Sequence, residues 1–377
     1  MNSLREIIVQ ELRERGPIPF SRYVELCLYH PELGYYSRNA EQFGKAGDFY
    51  TSSDVHAVFG RLMARQFAEM WRVLESPAQI GILELGPGRG LFATDLLDWS
   101  EKKFPDFFET IHCSLVERSL ALRARLQGTL HRHVESGKAS ISELLSDDKA
   151  DFPVILFANE FFDALPVEIV STEGSLRVGE NDGQFLESWA KPSPEELEFL
   201  DRYGVHPEPG ERIEVPLAAQ RYMAFLARTV ENGFLVIIDY GYTRQEQLAG
   251  RHRGTLMTYR QHSVSPNPYQ APGKQDITAH VNFTALSAAA RQNGMDVHSL
   301  VTQSQFLLGI GESNQFADAF EDCRTPQEYA KVALQLKHLV TPAGMGDTFH
   351  VLVASKGVLP EKVAQLSGLS FGNRTSA

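Results

Sequence analysis

Three glycines at alternate positions carry the first chemical signal in this chain. In GILELGPGRGLFATDLL, Gly81–Leu97, a short apolar run leads into Gly86, Gly88 and Gly90, and a helical pattern follows. A glycine loop between a strand and a helix lets backbone approach a ligand closely, and the helix N-terminus favours an anionic group. The spacing is not that of a dinucleotide fingerprint, G-x-G-x-x-G, which places its third glycine where this chain has Leu91. Glu84, just before the first glycine, repels a pyrophosphate and suits a ligand that carries an ammonium group. A nicotinamide-dependent oxidoreductase is therefore disfavoured. S-adenosylmethionine meets the demands better: its amino-acid end carries both charges and its sulfonium is cationic. Its ribose calls for an acid at the end of the second strand, where Glu117 stands in SLVERS, 27 residues beyond Gly90. That distance requires a long first helix.

The elements that must position these residues follow from periodicity. Residues 4–15 and 20–30 are expected as helices, stopped by Gly16-Pro17 and by Pro31. Val55, Val58, Phe59, Leu62, Met63, Phe67, Met70, Trp71 and Leu74 form one apolar stripe at three- and four-residue spacing, a helix whose expected cap is Ser52 or Ser53. From residue 80 strands and helices alternate: QIGILEL, a helix over 90–103, IHCSLVE, a helix over 119–130, then PVILFAN. The short strands VEIVST and SLRVGE follow, then a helix over 216–231, the strand GFLVIIDYG and the helix FTALSAAARQNG. Such alternation predicts a parallel sheet with helices on both faces. DVHSLVTQ and DTFHVLVAS lack a standard crossover and are expected as an antiparallel edge pair. HRH at 131–133 is expected as a solvated helix end, since no nearby acid or cysteine completes a metal site.

Four separated motifs resemble one family. LGYYSRNAEQFGKAGDFYTSSDV, ELGPGRG, ANEFFDALPVEIV and ITAHVNFTAL, in that order along the chain, look like the MidA-like class I S-adenosylmethionine-dependent methyltransferases. The resemblance runs from about residue 4 to 356. It implies an α/β fold: a Rossmann-like, seven-stranded doubly wound sheet with an added N-terminal helical region and insertions. The domain plan is then an N-terminal helical region with a cofactor-covering loop at 1–78, and a methyltransferase domain at 79–358 with insertions near 159–215 and 240–280. A loosely ordered tail occupies 359–377. The mitochondrial member of that family is an arginine methyltransferase that modifies a subunit of respiratory complex I and assists its assembly. Two departures stand out: Ser53-Asp54 replace the family's usual Pro-Glu, and Asn282 stands where an Asp is common. A helix-capping role suits Asn282 equally well.

Ligands of open α/β sheets sit beyond the C-terminal strand ends. Asn159, Glu160 and Asp163, after PVILFAN, are therefore expected in or near the cofactor cleft, with Asn159 on the cofactor and Phe161 and Phe162 as wall or packing. For an arginine acceptor, Glu160 and Asp163 are the expected carboxylates, because a planar guanidinium is held bidentately by such groups. The resemblance also implies that KAGDFYTSSD folds over the cofactor, with Gly47, Asp48, Thr51 and Ser52 in contact with it. Near Asp276 and Thr278, His280 is a candidate to accept the proton released by transfer.

Bulk properties bound the rest. A net charge of −12 disfavours unassisted nucleic-acid binding. Three cysteines without a C-x-x-C pair argue against a disulfide framework or zinc. MNSLREIIVQELRERG lacks the apolar core of a secretory signal and has too much Glu for a transit peptide, so a cytoplasmic protein without membrane insertion is expected. The leading expectation is a protein arginine methyltransferase. A small-molecule methyltransferase and a non-catalytic, cofactor-binding assembly factor are the alternatives.

Overall fold

The computed structural model describes residues 3–37, 57–145, 150–260, 263–341 and 344–374. The chain divides into two compact units: Tyr50–Glu160, Leu226–Asp239 and Ala290–Ala377 form a sheet unit, and Met1–Phe49, Phe161–Phe225 and Tyr240–Ala289 form an antiparallel unit.

The sheet unit is built on seven strands, labelled β1 (Ile80–Leu85), β2 (Ile111–Val116), β3 (Ala139–Ser142), β4 (Val154–Asn159), β5 (Gly233–Tyr242), β6 (Asp296–Val297) and β7 (Phe349–Lys356). Their order is β3-β2-β1-β4-β5-β7-β6, the seven-stranded arrangement expected. The pairs from β3 through to β5 are parallel, while β6 and the neighbouring Val301–Thr302 run antiparallel to β7. Strands covered on both faces read as continuous apolar runs. Ile155, Leu156, Phe157 and Ala158 of β4 and Phe234–Ile238 of β5 are accordingly all buried.

Aromatic packing ties the helices to this sheet. Val58 to Trp71 of the expected apolar stripe lie on the helix Val58–Val73, Leu74 ends it, and Val55 and the expected caps Ser52 and Ser53 lie outside the described residues; the glycine loop opens the helix Leu91–Lys103. Phe92, one residue into that second helix, stacks on Phe157 of β4 with ring centroids 4.3 Å apart, and Phe67 meets both rings edge-on. Offset aromatic stacking adds to plain area burial, so the first turn after the glycines is held against the strand beside them. A further short helix, Pro105–Thr110, fills the distance to β2 that a single helix cannot.

Three expectations need correction. His133 is not solvated: it is 3% exposed, and its Nε2 lies 2.8 Å from Asp98 Oδ1. The tail is not loose, for Pro360–Val363 and Ser367–Arg374 are helical. Glu69 accepts from the Ser367 N–H and hydroxyl, and Gln66 from the Gly368 N–H. These acceptors satisfy donors that a helix N-terminus leaves open. The single strand expected at DVHSLVTQ is two short ones, Asp296–Val297 and Val301–Thr302.

In the antiparallel unit, the helices Leu4–Arg15 and Phe20–Tyr29 share a core with Leu176, Val178, Ile169 and Ile277. A capping box at Ser3 and Glu6 starts the first helix. The strands Gly174–Asn181 and Glu168–Ser171 form a sheet with Ile18–Pro19, Gln184–Ala190 and Ile213–Val215. Ser263–Ser265, Met257–Arg260 and Asp276–Thr278 form a second, three-stranded sheet. The end of β5 enters this unit, where Gly241 and Tyr242 pair in parallel with Val281 and Asn282. A Cβ on Gly241 would lie 2.1 Å from the Val281 carbonyl oxygen, so only glycine fits there. Asn282 caps the helix Phe283–Gln292: its Oδ1 accepts from the Ala285 N–H at 3.0 Å and its Nδ2 donates to the Tyr203 carbonyl at 2.9 Å. That is the capping role its amide suits. Among the described residues, no helix is long and apolar enough to cross a membrane.

The Phe92–Phe157 stack should dominate local stability. Phe92→Ala is expected to cost about 3–5 kcal/mol in denaturant unfolding. A loss below about 1 kcal/mol would mean that the stack does not anchor this helix.

Candidate active site

The parallel register aligns the ends of three neighbouring strands. Leu85 of β1 lies beside Val116 of β2 on one side and Ala158 of β4 on the other. Gly86, Glu117 and Asn159 therefore follow one residue beyond that level and Glu84 stands one residue before it, at the carboxyl ends of adjacent strands. Between β1 and β4 the strand order reverses, which is where open α/β sheets bind ligands.

The glycine loop makes this edge approachable. Gly86, Gly88 and Gly90 adopt φ values of +61°, +54° and +77°, a left-handed backbone that side chains disfavour. Gly86 N–H donates to the Val116 carbonyl, and Gly90 N–H closes the turn onto the Pro87 carbonyl. Gly90 also lets the helix pack closely, since a Cβ there would meet Leu126 at 2.7 Å.

Three polar side chains border the loop. Glu84 is buried, and its Oε2 has no hydrogen-bond partner among the described residues. Burial pushes its carboxyl up to about 8. An orphaned buried acid is costly unless something else satisfies it, and a cationic ligand group would do so. Glu117 accepts from the Ser119 N–H at 2.8 Å, while Ser119 caps the helix Leu120–Thr129. Burial raises this carboxyl to about 7. Asn159 ends β4, donates from Nδ2 to Glu160 Oε1 at 3.2 Å, and buries an Oδ1 that has no partner among the described residues. Glu160 holds φ +50°, a left-handed conformation for a residue with a side chain, and its N–H bonds the Ile238 carbonyl of β5. Such strain costs about 1–3 kcal/mol and persists where surrounding structure enforces it.

Asp163 and His280 belong to the antiparallel unit. The Tyr240 hydroxyl donates to Asp163 Oδ2, and burial sets the Asp163 carboxyl at about 6 despite that bond. The His280 ring meets Tyr240 edge-on at 5.2 Å, and its Nδ1 lies 3.1 Å from His252 Nδ1. Burial first, and then His252, lowers His280 to about 4. The ring is neutral at physiological pH and holds a proton poorly. Asp276 accepts from the Tyr36 hydroxyl at 2.9 Å, with Thr278 buried two residues beyond. Phe161 and Phe162 pack against Tyr222. Gly47, Asp48, Thr51 and Ser52 lie outside the described residues. The sequence did not single out Tyr240 or His252. The one signal for Tyr240 was its place at the carboxyl end of the strand GFLVIIDYG.

The residues present fit S-adenosylmethionine. An unsatisfied acid beside a glycine loop suits an ammonium, and a second acid at the end of β2 stands where a ribose is bound in related folds.

Comparison with known proteins agrees. The model of a family described as "Putative S-adenosyl-L-methionine-dependent methyltransferase" matches residues 62–301. The "Protein arginine methyltransferase NDUFAF7 homolog, mitochondrial" of Drosophila melanogaster is 30% identical over 95% of this chain and 86% of its own length. The Danio rerio "Protein arginine methyltransferase NDUFAF7, mitochondrial" is 27% identical, with 92% and 86% covered. A "likely methyl transferase" from Burkholderia thailandensis, crystallised with S-adenosyl-homocysteine, is 28% identical with a TM-score of 0.83, covering 97% of this chain and 94% of that one. The mitochondrial names of the animal relatives overturn the cytoplasmic placement expected from the N-terminus. The shared fold, the glycine loop and its two flanking acids, and a family match over most of the chain place it among the S-adenosyl-L-methionine-dependent methyltransferases of this family.

Proposed function

We propose that this methyltransferase modifies an arginine guanidinium in a protein substrate, a subunit of respiratory complex I being the acceptor that the family resemblance suggests. The observation that carries the proposal is Glu160: a carboxylate fixed in a strained backbone at the end of β4, one strand from the glycine loop and tied to Asn159. The relatives named as protein arginine methyltransferases support the same acceptor.

The cofactor supplies a methyl group on a sulfonium, a leaving group that takes the bonding electrons back to sulfur. The protein's task is alignment and charge. Glu160 holds the guanidinium through paired N–H donors and fixes the attacking nitrogen in line; orientation of this kind supplies up to about 7–11 kcal/mol. Asn159 keeps Glu160 in place and presents its remaining amide oxygen to the cofactor side. Glu84 meets the cofactor's ammonium and Glu117 its ribose. The glycine loop gives the backbone approach. The proton that the attacking nitrogen loses passes to water.

Two outcomes are expected. Glu160→Gln should bind cofactor as wild type does but lose about 10- to 100-fold in methyl transfer to protein, the worth of a hydrogen bond to a charged group. Full turnover in the variant would remove the clamp. Second, Glu84 enters binding protonated at pH 7, because its pKa is near 8, and a bound cation lowers that pKa. Binding should therefore release about one proton per site at pH 7, and affinity should rise with pH up to about 8 and then level off. Calorimetry in phosphate and in Tris buffers should give enthalpies that differ by the buffers' ionisation heats. Equal enthalpies would mean that Glu84 does not meet the ammonium.

A further inference from the structure

The turn that leaves β2 is tied down by one cation of the next helix. Glu117 follows β2, and its N–H extends the parallel ladder to the Ser142 carbonyl of β3 at 3.0 Å. Ser119 then caps the helix Leu120–Thr129. Arg123, one turn into that helix, reaches back over the turn. Its Nη1 donates to the Glu117 and Arg118 carbonyls, each at 2.8 Å, and its Nη2 pairs with Glu143 at 3.0 Å. A guanidinium carries its donors in a fixed fork and makes these contacts together, whereas an ammonium is a point charge on a flexible stem. The Glu143 side chain is 62% exposed, so that pair adds little, and the two carbonyls are what hold Arg123. The Ser119 N–H occupies Glu117 Oε1 at 2.8 Å, and among the described residues Oε2 carries no hydrogen bond.

We infer that Arg123 is a positioning residue for the cofactor's ribose: it fixes the turn that carries Glu117 and keeps that carboxylate ionised, with Oε2 left for the sugar hydroxyls. The inference rests on the ribose role given to Glu117 above, and all of its groups lie in the sheet unit. Ribose hydroxyls are donors here. An ionised carboxylate only accepts, and once protonated it gives up part of that capacity. Three influences set its ionisation. Burial raises the carboxyl, the Ser119 N–H lowers it, and the Arg123 charge lowers it further. The other charged groups on the elements around this turn are Arg118 on the turn itself, Arg125 on the helix, Glu84 near the end of β1 and Glu143 after β3. Among all of them, Arg123 is the one whose charge acts on the Glu117 carboxyl.

The sign follows from the charge. The Glu117 carboxyl titrates at about 7, so it stands near its midpoint at neutral pH. Removing the cation raises that midpoint. A rise of about one unit leaves about a tenth of the carboxyl ionised at pH 7 but about nine-tenths at pH 9. The test is calorimetric titration of the full chain with S-adenosylhomocysteine at both pH values. Wild type is compared with Arg123→Gln, Arg123→Lys, Glu117→Gln and the variant carrying both Arg123→Gln and Glu117→Gln. Arg123→Gln keeps an amide donor and drops the charge, and thermal melting checks that the fold survives. Ratios taken at one pH cancel the titration of Glu84. Arg123→Gln should bind about fivefold more weakly than wild type at pH 7 and within about twofold at pH 9. Arg123→Lys, which keeps the charge, should recover most of the affinity at pH 7. In the Glu117→Gln background, Arg123→Gln should cost nothing further, because the two residues act as one unit. An equal loss at both pH values, or an equal loss in both backgrounds, overturns the inference, since Arg123 would then only brace the fold. No loss in Arg123→Gln overturns it as well, and leaves the ribose role of Glu117 standing if Glu117→Gln weakens binding. If Glu117→Gln binds as tightly as wild type, the ribose role itself fails and the inference falls with it.

Discussion

The parallel register of β2, β1 and β4 is the constraint on which the rest of the site depends. It sets Leu85, Val116 and Ala158 side by side, so the chain leaves three adjacent strands at one level. Up to that level the strands are apolar and buried. Immediately beyond it the sequence places Gly86, Glu117 and Asn159, with Glu84 one residue before the edge. A slip of one residue in either pairing would turn the polar groups to the opposite face. The Phe92–Phe157 stack protects the arrangement, because it clamps the helix after the glycines to the strand that ends in Asn159 and Glu160.

The polar groups at this edge are held in an unfavourable state. Glu84 and Glu117 are carboxyls raised by burial, and Glu160 adopts a backbone conformation that few side chains tolerate. A domain selected for stability alone has no use for such features; each is offset by the packing around it. Asp163 and His252 repeat the pattern in the antiparallel unit, one as a raised carboxyl and the other as a left-handed residue. Glu84 differs from Asp163 in a useful way. Asp163 already has the Tyr240 hydroxyl, whereas Glu84 Oε2 has nothing among the described residues, so Glu84 gains most from an arriving cation.

Much of the sheet was legible because apolar runs such as VILFAN and FLVIID have few alternatives. The glycine loop was legible for the same reason: Gly86, Gly88 and Gly90 all take positive φ, and little else fits. Elements carried by contacts distant in sequence were not. β3, Ala139–Ser142, alternates small residues over four positions and shows no pattern above background. His133 looked solvated because its partner Asp98 is 35 residues earlier. The C-terminal helix is fixed by Glu69 and Gln66, about 300 residues away, so local composition gave no hint of it. Glu117 seemed too far from the glycines until the helix Pro105–Thr110 supplied the missing length. Tyr240 was invisible as a partner of Asp163 because 77 residues separate them. The Glu-rich N-terminus pointed to the cytoplasm, whereas the animal relatives carry mitochondrial names.

The central claim is that the glycine-loop edge binds S-adenosylmethionine. Its most direct test is calorimetric titration of the purified protein beside a Gly88→Val variant, since Gly88 holds φ +54° at the centre of the loop. The account predicts one-site binding by the wild type and none by a variant that remains folded, because a β-branched side chain is strained in that backbone and blocks the approach it provides. Binding of equal strength by both proteins, or by neither, would contradict it.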